Sequence, residues 1–220
     1  GEGHPETALT LNNIAEINLK KRKFNESLKY YQQAYTIYRN KFGENHPETA
    51  LILNNLGLNY YNMGQYDMAL HYYQRALNIQ RATIGEMNPA IASTYNNLGI
   101  GYYYKVRNNE ALGFILKAYN IQKATIGEDD IQTAFTLTGL GTLYGAMKNY
   151  DKALECLNKS LKIKKEKLGE ETVDVADTLN NIAMLYVKMK GYKEANDMIK
   201  SAIKIYEKSV GVNHLSTSHA

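Results

Sequence analysis

The residues of this 220-residue chain whose types could do chemistry are five histidines, one cysteine, a lysine run and a recurring pair of asparagines. No two of His4, His46, His71, His214 and His219 stand four apart with a glutamate between them, so the helical zinc-protease pattern is absent. No glycine cluster precedes a Lys-Ser or Lys-Thr pair after a strand, which excludes a phosphate loop. His4 and His46 stand before proline and read as turn residues. Cys156 is expected on the inner face of a helix as a small buried hydrophobe. Being single, it excludes an intrachain disulfide and a cysteine-only zinc site, and it suits a reducing, cytoplasmic setting. Lys159, Lys162, Lys164, Lys165 and Lys167 fall in the last turns of a helix with Glu155 and Glu166 interspersed, and read as a solvated outer face. Asn25-Glu26-Ser27 and Asn158-Lys159-Ser160 match the glycosylation triplet, but both serines occupy packing columns and carry no weight. No acid, base, nucleophile or metal constellation emerges, so the chain reads as a non-enzyme without cofactor or metal.

Composition narrows the class further. An apolar share of 44% can bury a continuous core, and 22% charged residues is ordinary for a folded protein. The formal charge of +4 is spread along the chain, so no segment has the strongly basic surface of a nucleic-acid binder. No apolar run approaches the ~20 residues that cross a bilayer, and residues 1–6 lack a signal-peptide pattern. The chain opens inside a repeated phrase and without methionine, which leads to the expectation of a piece cut from something longer.

That phrase organises the elements. Gly1, Gly43, Gly85, Gly127, Gly169 and Gly211 are 42 residues apart, giving units 1–42, 43–84, 85–126, 127–168 and 169–210, and a truncated sixth unit or tail over 211–220. Counting each glycine as position 1, it is expected to end a helix as a left-handed cap, and Pro5, Pro47 and Pro89 suit the first turn of the next. Position 8 is alanine in all five units (Ala8, Ala50, Ala92, Ala134, Ala176) and shares a helix face with positions 11, 14, 15 and 18. After a break near position 22 a second helix follows, with Asn25, Asp67, Asn109 and Asp151 placed as N-cap or first-turn acceptors. Small residues at positions 27 and 34 let its inner face come close to the first helix, and isoleucine fills position 37 throughout.

These columns resemble the tetratricopeptide repeat over essentially the whole chain. In the second unit they read Asn55-Leu56-Gly57, Tyr60, Gly64, Tyr66, Ala69, Tyr73, Ala76 and Leu77. The period of 42, the Gly-Glu-x-His-Pro opening and the Leu-Asn-Asn-Leu core resemble the kinesin light chain branch of that family. The fourth unit departs with Thr138-Gly139 in place of the asparagine pair, and the fifth with Asn196 where earlier units have leucine. The resemblance implies an all-α fold, an α-solenoid of stacked antiparallel helix pairs curving into a right-handed superhelix whose first helices line the concave wall.

Function is expected on that wall. Positions 9, 12, 13, 16 and 20 lie opposite the core columns of the first helix. In the central units they are Leu51, Asn54, Asn55, Leu58 and Asn62, then Ser93, Asn96, Asn97, Ile100 and Tyr104, flanked by Tyr61 and Tyr103. An exposed helix face is normally Lys, Glu, Gln and Arg; this one is amide, aliphatic and aromatic, which reads as a binding surface. Asn13, Asn55, Asn97 and Asn181 form the sharpest column. Asparagine is a mediocre helix former, and its amide offers a donor and an acceptor to an extended backbone. In the resembling peptide receptors and kinesin light chains an asparagine at this position holds the ligand's main chain; the alternative is that one of each pair bonds to a neighbouring helix. The carboxylate clamp of the co-chaperone members is missing, since no Lys or Arg occupies positions 9, 12 or 16. Lys20 and Lys188 at position 20 could attract an acidic ligand end. Gly139 and Gly145 are expected to leave a depression bordered by Tyr103, Tyr104, Phe135 and Met184, a pocket for a large side chain.

The expected function is thus a scaffold of adaptor or cargo-recognition type that holds an extended protein or peptide segment, apolar or aromatic in character, in its concave groove. The alternative is a sensor or oligomerisation array within a larger signalling protein. Neither nucleic acid nor membrane is an expected partner, whereas Ile14, Ile17 and Phe24 leave the first repeat without a polar cap and invite self-association through uncapped ends.

Overall fold

The computed structural model describes residues 3–210, apart from the side chain of Val210. Gly1, Gly211, His214, His219 and the expected segment 211–220 lie outside the described residues. Ten helices and no strand make up the described chain: α1 (Pro5–Lys20), α2 (Phe24–Phe42), α3 (Pro47–Asn62), α4 (Tyr66–Thr83), α5 (Pro89–Tyr104), α6 (Asn108–Thr125), α7 (Ile131–Ala146), α8 (Tyr150–Leu168), α9 (Val173–Lys188) and α10 (Tyr192–Val210). They form an all-α solenoid in which α1 packs on α2, α2 on α3, α3 on α4 and α4 on α5, and, in the second stretch, α7 on α8, α8 on α9 and α9 on α10. By contacts the chain divides into two compact units, Gly1–Ile121 and Gln122–Ala220.

The small-residue columns decide how closely a pair approaches. Ala8, Ala15, Ser27 and Ala34 are wholly buried between α1 and α2, and Ser27 donates from Oγ to the Ala15 carbonyl at 2.8 Å. At position 15 the requirement is for glycine itself in three units. A Cβ on Gly57 would stand 2.5 Å from Tyr73 Cε1, one on Gly99 2.3 Å from Ile115 Cγ1, and one on Gly141 2.5 Å from Leu157 Cγ. Close approach then brings the large side chains together. In the first unit one cluster joins Tyr31, Ile52, Leu53, Leu56 and Ile79, and another joins Tyr73, Leu77, Ile91, Tyr95, Leu98 and Ile121. In the second, Leu157, Ile182 and Leu185 pack together beside a cluster of Val175, Leu179 and Tyr206. Each such leucine or isoleucine contributes about 1.5–3 kcal/mol by leaving water. The triplet serines Ser27 and Ser160 are buried in these joints.

The helix ends follow the sequence with one correction. Pro5, Pro47 and Pro89 open α1, α3 and α5, and the residue before each is the N-cap: His4 and His46 accept from a backbone N–H through Nδ1 at 3.3 Å, and Asn88 through Oδ1 at 2.9 Å. Asp130 does the same for α7 at 2.8 Å. Asn25, Asp67, Asn109 and Asp151 fall in the first turns of α2, α4, α6 and α8, each of which begins one residue earlier. The correction concerns the glycine caps. Gly43 (φ 93°, ψ 170°) and Gly169 (φ 95°, ψ 158°) are extended with positive φ, a region essentially confined to glycine, and not left-handed helical. The true left-handed residues are Arg22, Gly64, Val106, Lys148 and Lys190 at the break inside each hairpin. The residue after each donates to a carbonyl five residues back, at 2.9 Å in every case, closing a Schellman turn.

Candidate functional site

In the first unit, helices α1, α3 and α5 present positions 9, 12, 13, 16 and 20 on one side. Leu9, Leu51 and Tyr104 are 52%, 45% and 48% exposed, Leu58 and Ile100 are half-buried, and Asn62 is exposed with its Nδ2 turned back to the Leu58 carbonyl at 2.8 Å. The asparagines interlock from helix to helix. Asn55 Nδ2 donates to Asn12 Oδ1 at 2.8 Å, and Asn97 Nδ2 to Asn54 Oδ1 at 3.2 Å. Position 13 of one unit thus donates to position 12 of the unit before. Asn54 Oδ1 also accepts from Thr94 Oγ1 at 3.3 Å, while Asn12 donates to Glu16 Oε1 at 3.1 Å and to Asn13 Oδ1 at 3.5 Å. The consequence differs by position: Asn12 is buried within the ladder, whereas Asn55 and Asn97 remain half-exposed, each with one amide proton committed to the ladder. Asn96 is half-buried and is likewise engaged.

At the C-terminal ends of α3 and α5 the aromatic residues gather. Tyr104 stacks on Tyr66 at 5.1 Å between centroids and meets Tyr61 edge-on at 5.4 Å, with Tyr103 edge-on to Tyr104 at 5.5 Å. Burial, then the hydrogen bond to Tyr104, pushes the Tyr61 hydroxyl well above the ordinary tyrosine range. Tyr66, the first residue of α4, completes this cluster; its aromatic type at the start of a second helix was the available signal, and its neighbourhood to Tyr104 depends on how two hairpins stack.

In the second unit α7 and α9 present the corresponding face. Phe135 and Met184 are 41% and 55% exposed, Asn180 and Asn181 are half-exposed, and Lys188 is exposed. The expected depression loses one of its glycines. Gly145 is buried, and a Cβ there would stand 3.1 Å from Leu185 Cδ1 of α9, so this glycine serves helix packing. Gly139 is half-exposed. Thr138 replaces the asparagine and is held differently: its Oγ1 bonds to Ser160 Oγ at 2.7 Å and accepts from Lys164 Nζ at 3.2 Å. Lys164 is the clearest departure from expectation. It is 3% exposed, not part of a solvated face, and it donates also to Thr178 Oγ1 at 2.9 Å beneath the Phe135 ring. Desolvation holds its pKa below the usual lysine value, against the opposing pull of Asp174 and Asp177. In the same run Lys159 pairs with Glu128 at 2.5 Å. Cys156 is half-buried, and burial pushes its thiol up to about 11, far from a nucleophile's range. Among the described residues no group of three or more His, Cys, Asp or Glu could hold a metal ion.

The tetratricopeptide repeat profile matches residues 6–82, 90–166 and 143–208. The chain belongs to the tetratricopeptide repeat family. Among solved structures it is similar to BtubC (BKLC) from P. vanneervenii, at 20% identity and a TM-score of 0.80 over 94% of this chain and 82% of that one. It is similar also to the nearly identical TPR-like repeats of a kinesin light chain-type protein of Podosopora anserina, at 19% identity and TM-score 0.74 over 94% and 98%. The apo form of RapI matches at 20% identity and TM-score 0.75 over 92% and 71%. At these identities the likeness is one of fold. No curated protein sequence matches the chain.

Within this tetratricopeptide chain a further recurring element escaped the sequence. The glutamate at position 2 of a unit sits between a basic residue at position 39 of the preceding unit and one at position 33 of its own. Glu44 pairs with Arg75 and feels Arg39; Glu86 pairs with Arg81 at 2.6 Å and feels Lys117; Glu128 pairs with Lys123 at 3.2 Å and with Lys159. No helix of the described residues is long and apolar enough to cross a membrane.

Proposed function

We propose that the chain is a non-enzymatic scaffold that holds an extended protein or peptide segment along its first-helix faces. The observation that carries this reading is the amide ladder of the first unit. It locks the Asn55 and Asn97 side chains in one orientation, each with a donor and an acceptor left over, beside exposed Leu51 and Tyr104. Preorganised amides satisfy the N–H and C=O of an extended backbone without the ordering cost of free side chains, while the flanking aliphatic and aromatic groups take up alternate ligand side chains. The expected ligand is apolar or aromatic where it meets Leu51, Leu58, Ile100 and Tyr104.

A peptide-array pull-down with the wild type beside Asn55→Ala/Asn97→Ala tests it. The double variant should lose at least about tenfold in affinity, the size of one or two hydrogen bonds left unmade. Retention of every ligand by the double variant overturns the reading. A second reading, assembly of copies within a larger signalling protein, draws on the exposed Val187, Met189 and Tyr192 at the end of α9 and start of α10, which are 47%, 38% and 65% exposed. Solution mass across a concentration series separates it: a mass fixed at that of one chain removes it.

A further inference from the structure

Lys164 is a buried cation without a paired anion. It rises from α8, behind the first helices, and its ammonium ends between α7 and α9 against the hydroxyls of Thr138 and Thr178, at 3.2 and 2.9 Å. These two acceptors take two of its three protons. Among the described residues no carboxylate pairs with it; Asp174 and Asp177 of α9 act on it through space, and Asp177 is itself held by the Tyr206 hydroxyl at 2.5 Å. What covers the ammonium on the solvent side is the Phe135 ring, 4.7 Å from Nζ and itself 41% exposed, next to half-exposed Thr138. Both residues stand at positions of the first-helix face, 9 and 12 of their unit.

A buried ammonium satisfied only by neutral hydroxyls and a ring is poorly compensated for its lost hydration, and an incoming carboxylate would repair that deficit. The equivalent joints of the first unit, α1 with α3 and α3 with α5, are bridged by neutral amides and hold no such charge. We infer that Lys164, with Thr138 and Thr178 around it and Phe135 as its movable cover, is a subsite for an aspartate or glutamate side chain of the bound segment. It rests on the reading of the first-helix faces as peptide-binding, and adds an acidic position to a ligand otherwise selected for apolar character. The third N–H of the ammonium makes the charge-assisted bond, and the Phe135 ring swings outward to admit the carboxylate. A lysine reaching this face from the second helix is a different device from basic residues on the first helix, which positions 9, 12 and 16 lack.

The test uses an acetylated and amidated random heptapeptide library, so that side chains are the only carboxylates, captured on immobilised protein and sequenced. Wild type should enrich Asp or Glu at one position by about tenfold, the scale of a single charge-assisted bond. Lys164→Met should abolish that enrichment and keep the apolar selection at other positions; removing a buried charge for an apolar chain of similar length does not endanger the fold. Phe135→Ala, an exposed substitution, should keep or strengthen the acidic preference by uncovering the ammonium. Asn55→Ala/Asn97→Ala should instead lower capture of all peptides, acidic and neutral alike. An acidic preference unchanged in Lys164→Met, or none among the peptides that wild type retains, overturns the subsite and leaves the scaffold reading standing. No peptide retained by wild type would remove both.

Discussion

At the scale of single residues, the least expected conformation belongs to Val106. Its φ of 58° places a β-branched side chain in the left-handed region, with 81% of its surface exposed and nothing packed to repay the strain. A Cβ there costs about 1–2 kcal/mol, while glycine at the same place loses about 0.5–1 kcal/mol in chain entropy. The same turn in the preceding unit carries Gly64 at φ 74°. Val106→Gly is therefore expected to stabilise the chain slightly, by up to about 1 kcal/mol, raising the thermal midpoint by about 2–4 °C for a chain of this size. Differential scanning calorimetry reads it directly, and a lowered midpoint would show that Val106 makes up its strain elsewhere. The turn column was hard to read in the sequence for a physical reason: Arg22, Val106, Lys148 and Lys190 are ordinary residues forced into an unusual state by the Schellman hydrogen bonds on either side, and only Gly64 announces it. Lys164 was hidden similarly. In a run of five lysines nothing local distinguishes the one whose stem points inward; burial at position 38 became visible only with Thr138 and Thr178 beside it.

At the scale of elements, joints between successive hairpins were legible on their apolar side and not on their charged side. Alanine or glycine at positions 8, 15, 27 and 34 repeats in every unit, apart from serines at Ser27 and Ser160, so periodicity alone exposes the packing columns. The glutamate joint repeats as well, but its partners lie 31 residues away for Arg75 and five for Arg81, spacings that match no single-helix rule. The joints predict an acid sensitivity. The Tyr35 hydrogen bond, with Arg75 beside it, holds the Glu44 carboxyl below its usual range, and hydrogen bonds from Arg81 and Tyr95 do so for Glu86. A carboxyl whose folded pKa is depressed contributes its full stabilisation above its unfolded value, about 4.3, and loses it as pH falls through the lower folded value. The thermal midpoint should therefore hold steady from neutrality to about pH 5 and decline below about pH 4.3. In Glu44→Gln/Glu86→Gln the decline should be shallower. These pairs are largely exposed, so about 1 M salt should erase most of the difference at neutral pH. An equally steep acid decline in the double variant would place the sensitive carboxylates elsewhere.

At the scale of the molecule, a solenoid has no central core, and the hydrophobic clusters show how this limits the spread of a defect. In the first unit Tyr31, wholly buried, belongs with Ala8, Leu53, Leu56 and Ile79, all on α1 to α4, whereas Tyr95, Leu98 and Ile121 of α5 and α6 belong to the adjoining cluster with Tyr73 and Leu77. The 42-residue period made this arrangement readable as a fold class, because a unit that repeats cannot bury its apolar face alone and must use its neighbours. The same period also hid the amide ladder in plain view: its partners are 43 residues apart, one unit and one residue, so the pairing of Asn55 with Asn12 needed the stagger between hairpins as well as the repeat. In such an array stability is close to a sum of unit and nearest-neighbour terms. Tyr31→Ala should cost about 3–5 kcal/mol locally, the range for emptying a buried aromatic site. Amide exchange in α1, α2 and α3 should accelerate by two or more orders of magnitude, since about 1.4 kcal/mol is tenfold. Exchange in α5, which shares no cluster with Tyr31, should change by less than about tenfold, as the additive picture requires. Equal acceleration in α1 and α5 would mean that the first unit opens only as a whole, with hairpins too strongly coupled for nearest-neighbour terms to describe.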